Sequence, residues 1–506
     1  MATWRRALCT GRAAGVLAVV LLATAAALAD EAESDQPADE PQPVSFYRQV
    51  RPILQRHCAG CHQPAKQEGK LLLTSYEGFQ TGGENGPSFE AGKPDDSLIV
   101  QYISGDEPLM PLNGDPLVPQ QVELISRWIA EGGTDDTPEA AQDKVTAENP
   151  PVYASPPVIT SLAYSPDSKL LAVSGFHEIL LHEADGSGLV ARLVGRAPRI
   201  ESVAFSPDGK LLGAVGGAPS LFGEVQFWNV ETRALAQSIS TAYDTLFGAS
   251  FSDDGKLFAF GAADNRARVV KVEDGEQVMR FDAHSDWVLG TTFSKNLDHL
   301  ITVSRDMSMK LVIVENAQLV DNITSITPGA LKGGLMDVQR HPNREQVLTG
   351  GSDGEPALYK IFRTRVRIIG DDFNHIRSYP ALPGRIFDLE FNSDGSMFVA
   401  GSSTATDGAA RIYRTGEYDE AAANNDGSLE DTRRAIAARS KEESLVHELE
   451  GIDNPVFAVA FRPDGKQVAV GGFDGKVRLF DVETGKSDGE FLPVELAAPA
   501  TAAAGN

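Results

Sequence analysis

Between residues 164 and 465 the chain returns seven times to one short signature. An aromatic residue, once a glutamine, ends a stretch of alternating apolar and polar residues, and a turn rich in Ser, Pro, Asp and Gly follows. The signatures open at Tyr164, Phe205, Phe251, Phe293, Gln339, Phe391 and Phe461, in steps of 41, 46, 42, 46, 52 and 70 residues. A step of about 40 to 45 residues holding four short alternating strands is the length of one β-propeller blade. Seven such units predict an all-β, seven-bladed propeller over residues 152–495. The long last step points to an insertion at about 416–443, in which Ser428-Leu429-Glu430-Asp431 reads as a capping box opening a helix to about Glu443.

Composition narrows the partners. Lys and Arg number 45 against 71 Asp and Glu, a net charge of −26, which excludes the clustered basic footprint of a nucleic-acid binder. Three cysteines, Cys9, Cys58 and Cys61, exclude a disulfide scaffold. Residues 1–29 carry Arg5, Arg6 and Arg12, then an apolar run to Leu28, then Ala27-Leu28-Ala29, the order of a secretory signal peptide. The expectation is an exported chain, periplasmic or otherwise extracytoplasmic, with Cys9 removed on cleavage and no integral membrane domain afterwards. Residues 30–43 are expected to form an acidic, Pro-rich disordered linker, residues 135–151 a second linker, and 496–506 an Ala-rich disordered tail.

At Val44 the pattern turns helical, with Phe46, Val50, Ile53 and Leu54 on one face and a kink expected at Pro52. The helix runs into Cys58-Ala59-Gly60-Cys61-His62. Two thiols three apart with His directly after the second suit covalent haem attachment: each sulfur adds to one vinyl group, and the imidazole meets the iron as proximal ligand. A redox dithiol needs no such His. A zinc site using His57 and His62 would crowd its ligands into six consecutive residues.

Met110 is the only methionine between Met1 and Met279, and it sits in Glu107-Pro108-Leu109-Met110-Pro111-Leu112, a stiff, extended loop suited to holding a sulfur against the distal iron face. A second helix is expected from Pro119 to Gly132-Gly133, with Val122, Ile125, Trp128 and Ile129 on its apolar face and Trp128 packed on Phe46 or Tyr47. Its cap position, Val118, lacks the usual polar side chain.

Residues 44–134 resemble a class I cytochrome c domain, small and all-α. The run Val50-Arg51-Pro52-Ile53-Leu54, Cys58-x-x-Cys61-His62, Met110-Pro111 and Trp128-Ile129 is similar to the cytochrome c module of planctomycete proteins. The repeats resemble the WD-repeat family. In the fourth unit His284, Trp287, Ser304 and Asp306 fall where that family keeps a buried His–Ser–Asp network, with Val312 in place of its Trp.

The cytochrome resemblance implies one covalently attached haem c held by Cys58 and Cys61, with His62 proximal and Met110 distal on the iron, passing single electrons to a redox partner protein. No catalytic constellation stands out in the repeats, and His177 and His182, five apart on or near one strand, fall on opposite faces. An electron carrier with a partner-binding propeller is therefore the expected function. The alternatives are a haem oxidoreductase with a second active site in the propeller, and a scaffold for protein or polysaccharide with a haem sensor.

Overall fold

The computed structural model of the protein describes residues 43–63, 66–112, 115–138, 145–325, 332–368, 370–418 and 428–497. The expected signal peptide, most of the 30–43 linker, residues 419–427 of the insertion and most of the tail lie outside them.

The N-terminal part is helical. A π-helical turn, Phe46–Val50, leads into α1 (Arg51–His57). Pro52 makes no kink of its own; it falls in the first turn of α1, where a missing N–H leaves no broken bond. Two short helices that sequence reasoning did not anticipate follow, α2 (Tyr76–Thr81) and α3 (Leu98–Ile103). The fourth, α4 (Pro119–Ala130), begins at the expected proline. Val118 makes no side-chain cap, and Gln121 instead reaches back to accept from the Val118 N–H at 3.2 Å, while Gly132 and Gly133 stop the helix at φ values of +108° and +61°. Trp128, 1% exposed, centres the core. Its ring lies 5.4 Å from Phe46 and 5.8 Å from Phe79, and its indole N–H donates to the Thr134 carbonyl at 3.0 Å.

From Leu162 to Phe491 the described chain is almost wholly β. Five four-stranded antiparallel sheets follow one another in chain order over residues 246–281, 288–322, 335–378, 385–448 and 456–491. The inner strand of each unit ends at its signature, as at Phe205, Phe251, Phe293, Phe391 and Phe461. The turn that follows is held by its own residues: Ser206 donates to Asp208 at 2.8 Å, and Asp208 accepts from the Lys210 N–H at 3.1 Å.

The first two units differ from the expectation of separate blades. They share one seven-stranded sheet, because the strand Leu189–Phe205 serves as outer strand of the first and inner strand of the second. The neighbouring strand Phe176–Glu183 pairs with both halves, Glu178 with Val194 and Phe176 with Arg199, and so holds it extended across Gly195 and Pro198.

Consecutive units are stitched at their inner strands. Ser161 Oγ accepts from the Val203 N–H and Ser202 Oγ from the Ala249 N–H, at 3.0 and 3.1 Å. In the later units carboxylates take that role: Asp337 accepts from the Leu389 N–H and Asp388 from the Val459 N–H, at 3.2 and 2.8 Å. The last inner strand, Val456–Phe461, lies beside the first, Leu162–Tyr164.

The insertion forms α5 (Leu429–Arg439), opened by Ser428 and Asp431 as the capping box requires and ending four residues before Glu443. It lies on the outer strand His375–Ser378 of the preceding sheet. Ser440 Oγ accepts from the Ser378 N–H at 2.9 Å, and Arg439 Nε donates to the Ile376 carbonyl at 2.8 Å. It thus covers a sheet edge that would otherwise present unpaired backbone groups.

Candidate functional site

The Cys58–His62 segment is the C-terminal end of α1 wound into tight turns. The Cys58 N–H donates to Leu54 O at 2.9 Å, and the N–H groups of Cys61 and His62 both donate to Cys58 O, at 3.2 and 3.1 Å. Both thiols are free; Cys58 packs against the helical core and Cys61 is exposed. Burial pushes the Cys58 thiol up to about 12, with Cys61 adding to the shift. A thiol held protonated in this way is the opposite of the depressed thiolate of a redox dithiol.

His62 stands at the start of a short hairpin, with the Glu68 N–H on Cys61 O and the Leu73 N–H on His62 O, at 3.1 and 2.8 Å. Its Nδ1 lies 2.9 Å from the Glu68 carbonyl. Burial lowers its pKa, and the Glu68 carbonyl opposes that shift without reversing it. The ring is therefore neutral at pH 7, and the carbonyl places the proton on Nδ1 and the lone pair on Nε2. Metal-binding imidazoles are oriented by this kind of outer contact. Sequence reasoning missed Glu68, because a backbone carbonyl carries no side-chain signature.

Met110 lies in a non-helical loop, as expected, with its N–H donating to Tyr102 O at the end of α3, at 2.9 Å. It is half-buried against the same core cluster as Cys58, while Leu109 and Leu112 beside it are 62% and 77% exposed. The donor set of two thiols, one oriented imidazole and one thioether suits haem c. His57 points elsewhere, its Nε2 lying 3.3 Å from Gln121 Nε2.

The β region reaches this segment. A Cβ on Gly60 would lie 3.3 Å from the Ser240 carbonyl oxygen, on the outer strand of the second unit. Beside it the Arg56 guanidinium stacks 3.8 Å over the Tyr243 ring. Nothing in the sequence pairs residues so far apart.

In the fourth unit the expected histidine network is present with one member changed. His284 Nδ1 lies 2.9 Å from Asp306 Oδ2, but Nε2 meets Thr302 Oγ1 at 2.8 Å rather than Ser304. Thr302 and Ser304 share a face of one strand, and the Ser304 hydroxyl is already donated to Asp286 O at 3.0 Å. Val312 fills the expected Trp position and is fully buried. In the first unit His182 Nε2 lies 3.0 Å from Pro493 O, a contact with the C-terminal end of the β region.

Residues 58–112 match the planctomycete cytochrome C family, a span that includes Cys58, Cys61, His62 and Met110. Residues 275–312 and 443–481 match the WD domain, G-beta repeat. Among curated proteins the chain is similar to the serine-threonine kinase receptor-associated protein of Gallus gallus, 22% identical over 256 residues, 48% of this chain and 69% of that protein. It is also similar to the angio-associated migratory cell protein of Homo sapiens, 25% identical over 244 residues, 48% of this chain and 46% of that protein. The chain joins a cytochrome c-like helical domain to a region of WD repeats. Among the described residues no helix is long and apolar enough to cross a membrane.

Proposed function

We propose that the protein is an exported, extracytoplasmic electron carrier bearing one haem c, with its repeat region closed into a seven-bladed ring that binds a partner protein. Cys58 and Cys61 would hold the haem through thioether bonds, and His62 Nε2 and Met110 would supply the two ligands to its iron. The observation that carries this reading is the Glu68 carbonyl at 2.9 Å from His62 Nδ1. It fixes the tautomer that iron ligation needs, directly after two cysteines at haem-attachment spacing. When bound, the haem supplies a one-electron couple, whose potential a His/Met pair tends to raise. Leu109 and Leu112 give the Met110 loop the exposed apolar surface that an electron-transfer partner would cover. Closure of the ring is supported by the last inner strand lying beside the first and by one cavity lined from all seven units.

Met110→Ala in haem-loaded protein tests the ligand set. Loss of the sulfur-to-iron charge-transfer band with a lowered midpoint potential is expected; an unchanged band and potential would assign the distal position to another group.

A further inference from the structure

From the second unit onward, every inner strand loses register with its neighbour near its start, at Ile200/Ser202, Phe247/Ser250, Val288/Gly290, Leu335/Asp337, Ile386/Asp388 and Val456/Ala458. Such bulges re-aim a side chain. Here the extra residues Glu201, Leu289, Met336, Phe387 and Phe457 all line one cavity of about 670 Å³, within the size range of small-ligand sites.

The lining combines three chemistries. Flat apolar faces come in two pairs: Phe247 stacks on Trp287 at 5.7 Å, and Phe387 meets Phe457 edge-on at 5.0 Å. Trp287 is 39% exposed. Three exposed arginines supply positive charge. Arg305 lies 4.7 Å over Trp287 and Arg385 lies 5.8 Å over Phe387. Their hydrogen-bonding capacity is little used: Arg305 and Asp286 are 3.6 Å apart, and Arg199 and Glu201 3.9 Å. Lastly, the carboxyls of Asp337 and Asp388 both line the cavity. Each takes one neighbouring backbone N–H, and a carboxyl pair has further acceptor capacity.

We propose that this cavity binds the end of an anionic sugar chain. Sugar rings lay their apolar faces on Trp287 and Phe387, Arg305 and Arg385 grip a uronate carboxylate or sulfate ester, and Asp337 and Asp388 accept from sugar hydroxyls. An acidic peptide would satisfy the arginines but brings few hydroxyl donors for the carboxyls. The inference rests on the repeat region being the binding half of the protein and is independent of the haem.

Calorimetry on the full, haem-loaded chain tests it with four probes: tetragalacturonate, a sulfated galactan tetrasaccharide, a neutral galactan tetrasaccharide and hexaglutamate. One of the two charged sugars is expected to bind at least tenfold more tightly than the neutral one, and which of the two does so assigns carboxylate or sulfate. Arg305→Gln and Arg385→Gln should each weaken that binding roughly 10- to 100-fold, and Trp287→Ala should also weaken it. Absence of charged-sugar binding, binding unchanged in all three variants, or hexaglutamate binding as tightly as the sugars would each overturn the proposal. An unchanged unfolding transition and haem spectrum would show that the fold and haem readings survive such a failure.

Discussion

Replacing Glu390 with Gln should make the protein more stable, and by an amount that grows with pH. Glu390 lies on the inner strand Arg385–Phe391 and accepts from the Phe461 N–H of the next unit at 2.7 Å. Burial, and the nearby Asp337 carboxyl, push its pKa up to about 8 against the opposing pull of that N–H. An unfolded glutamate titrates near 4.3. Between those values the folded chain binds a proton that the unfolded chain has released, so stability falls as pH rises. At about 1.36 kcal/mol per pH unit, the cost reaches a ceiling of roughly 4 kcal/mol by pH 7. The glutamine oxygen can still accept from Phe461, but its new N–H groups need acceptors, which offsets about 1–3 kcal/mol. Glu390→Gln should therefore gain ~1–3 kcal/mol at pH 7 to 8 and lose that gain near pH 4. Urea unfolding followed by far-ultraviolet circular dichroism at pH 4.5, 6, 7 and 8 measures it. A variant less stable than the parent at pH 8, or a difference that does not move with pH, would mean that Glu390 carries no raised pKa in the folded protein.

Four further substitutions probe other parts of the molecule. Trp128→Ala should cost ~3–5 kcal/mol in the helical domain, whereas the exposed Trp287→Ala should cost less than about 1 kcal/mol; equal costs in chemical denaturation would contradict the packing described. For Asp306, burial acts upward, but hydrogen bonds from His284 and Ser308 outweigh it and hold the carboxyl well below the usual range. Its stabilisation is complete above the unfolded value near pH 4 and is lost as pH falls through the depressed folded value, so Asp306→Asn should cost ~1–3 kcal/mol at pH 7 and progressively less below pH 4. A pH-independent difference between the two unfolding curves would count against this assignment. Gly60→Val should push the attachment loop off Ser240, opening the Arg56–Tyr243 contact and speeding proteolysis between the helical and β regions; an unchanged cleavage rate would mean that contact holds nothing together.

Much of the fold was legible because periodicity reports burial directly. The signatures at Phe205, Phe251, Phe293, Phe391 and Phe461 each mark the end of an inner strand. Pro119, Ser428 and Gly132 mark helix boundaries through backbone chemistry that any context preserves. The merged first sheet was not legible, since Gly and Pro disfavour a strand interior and only the pairing of Phe176 and Glu178 keeps Gly195 and Pro198 extended. The bulges were also hidden: an added residue such as Phe387 or Phe457 looks like ordinary strand until its partner's register is known. At the candidate site, Cys58, Cys61, His62 and Met110 stood out by type and spacing. Glu68 did not, because its backbone carbonyl makes the contact, and Ser240 and Tyr243 did not, because tertiary packing alone brings them near. Thr302 replaced Ser304 in the His284 network because both hydroxyls lie on one strand face and sequence cannot say which the ring reaches.

The function proposed for the helical domain depends on covalent haem at Cys58 and Cys61. Mass spectrometry of protein matured in an exporting host, after denaturation and treatment with a thiol-alkylating reagent, tests it most directly. One haem is expected to stay on the peptide holding Cys58 and Cys61, with neither thiol alkylated. Two alkylated cysteines and no retained haem would contradict it.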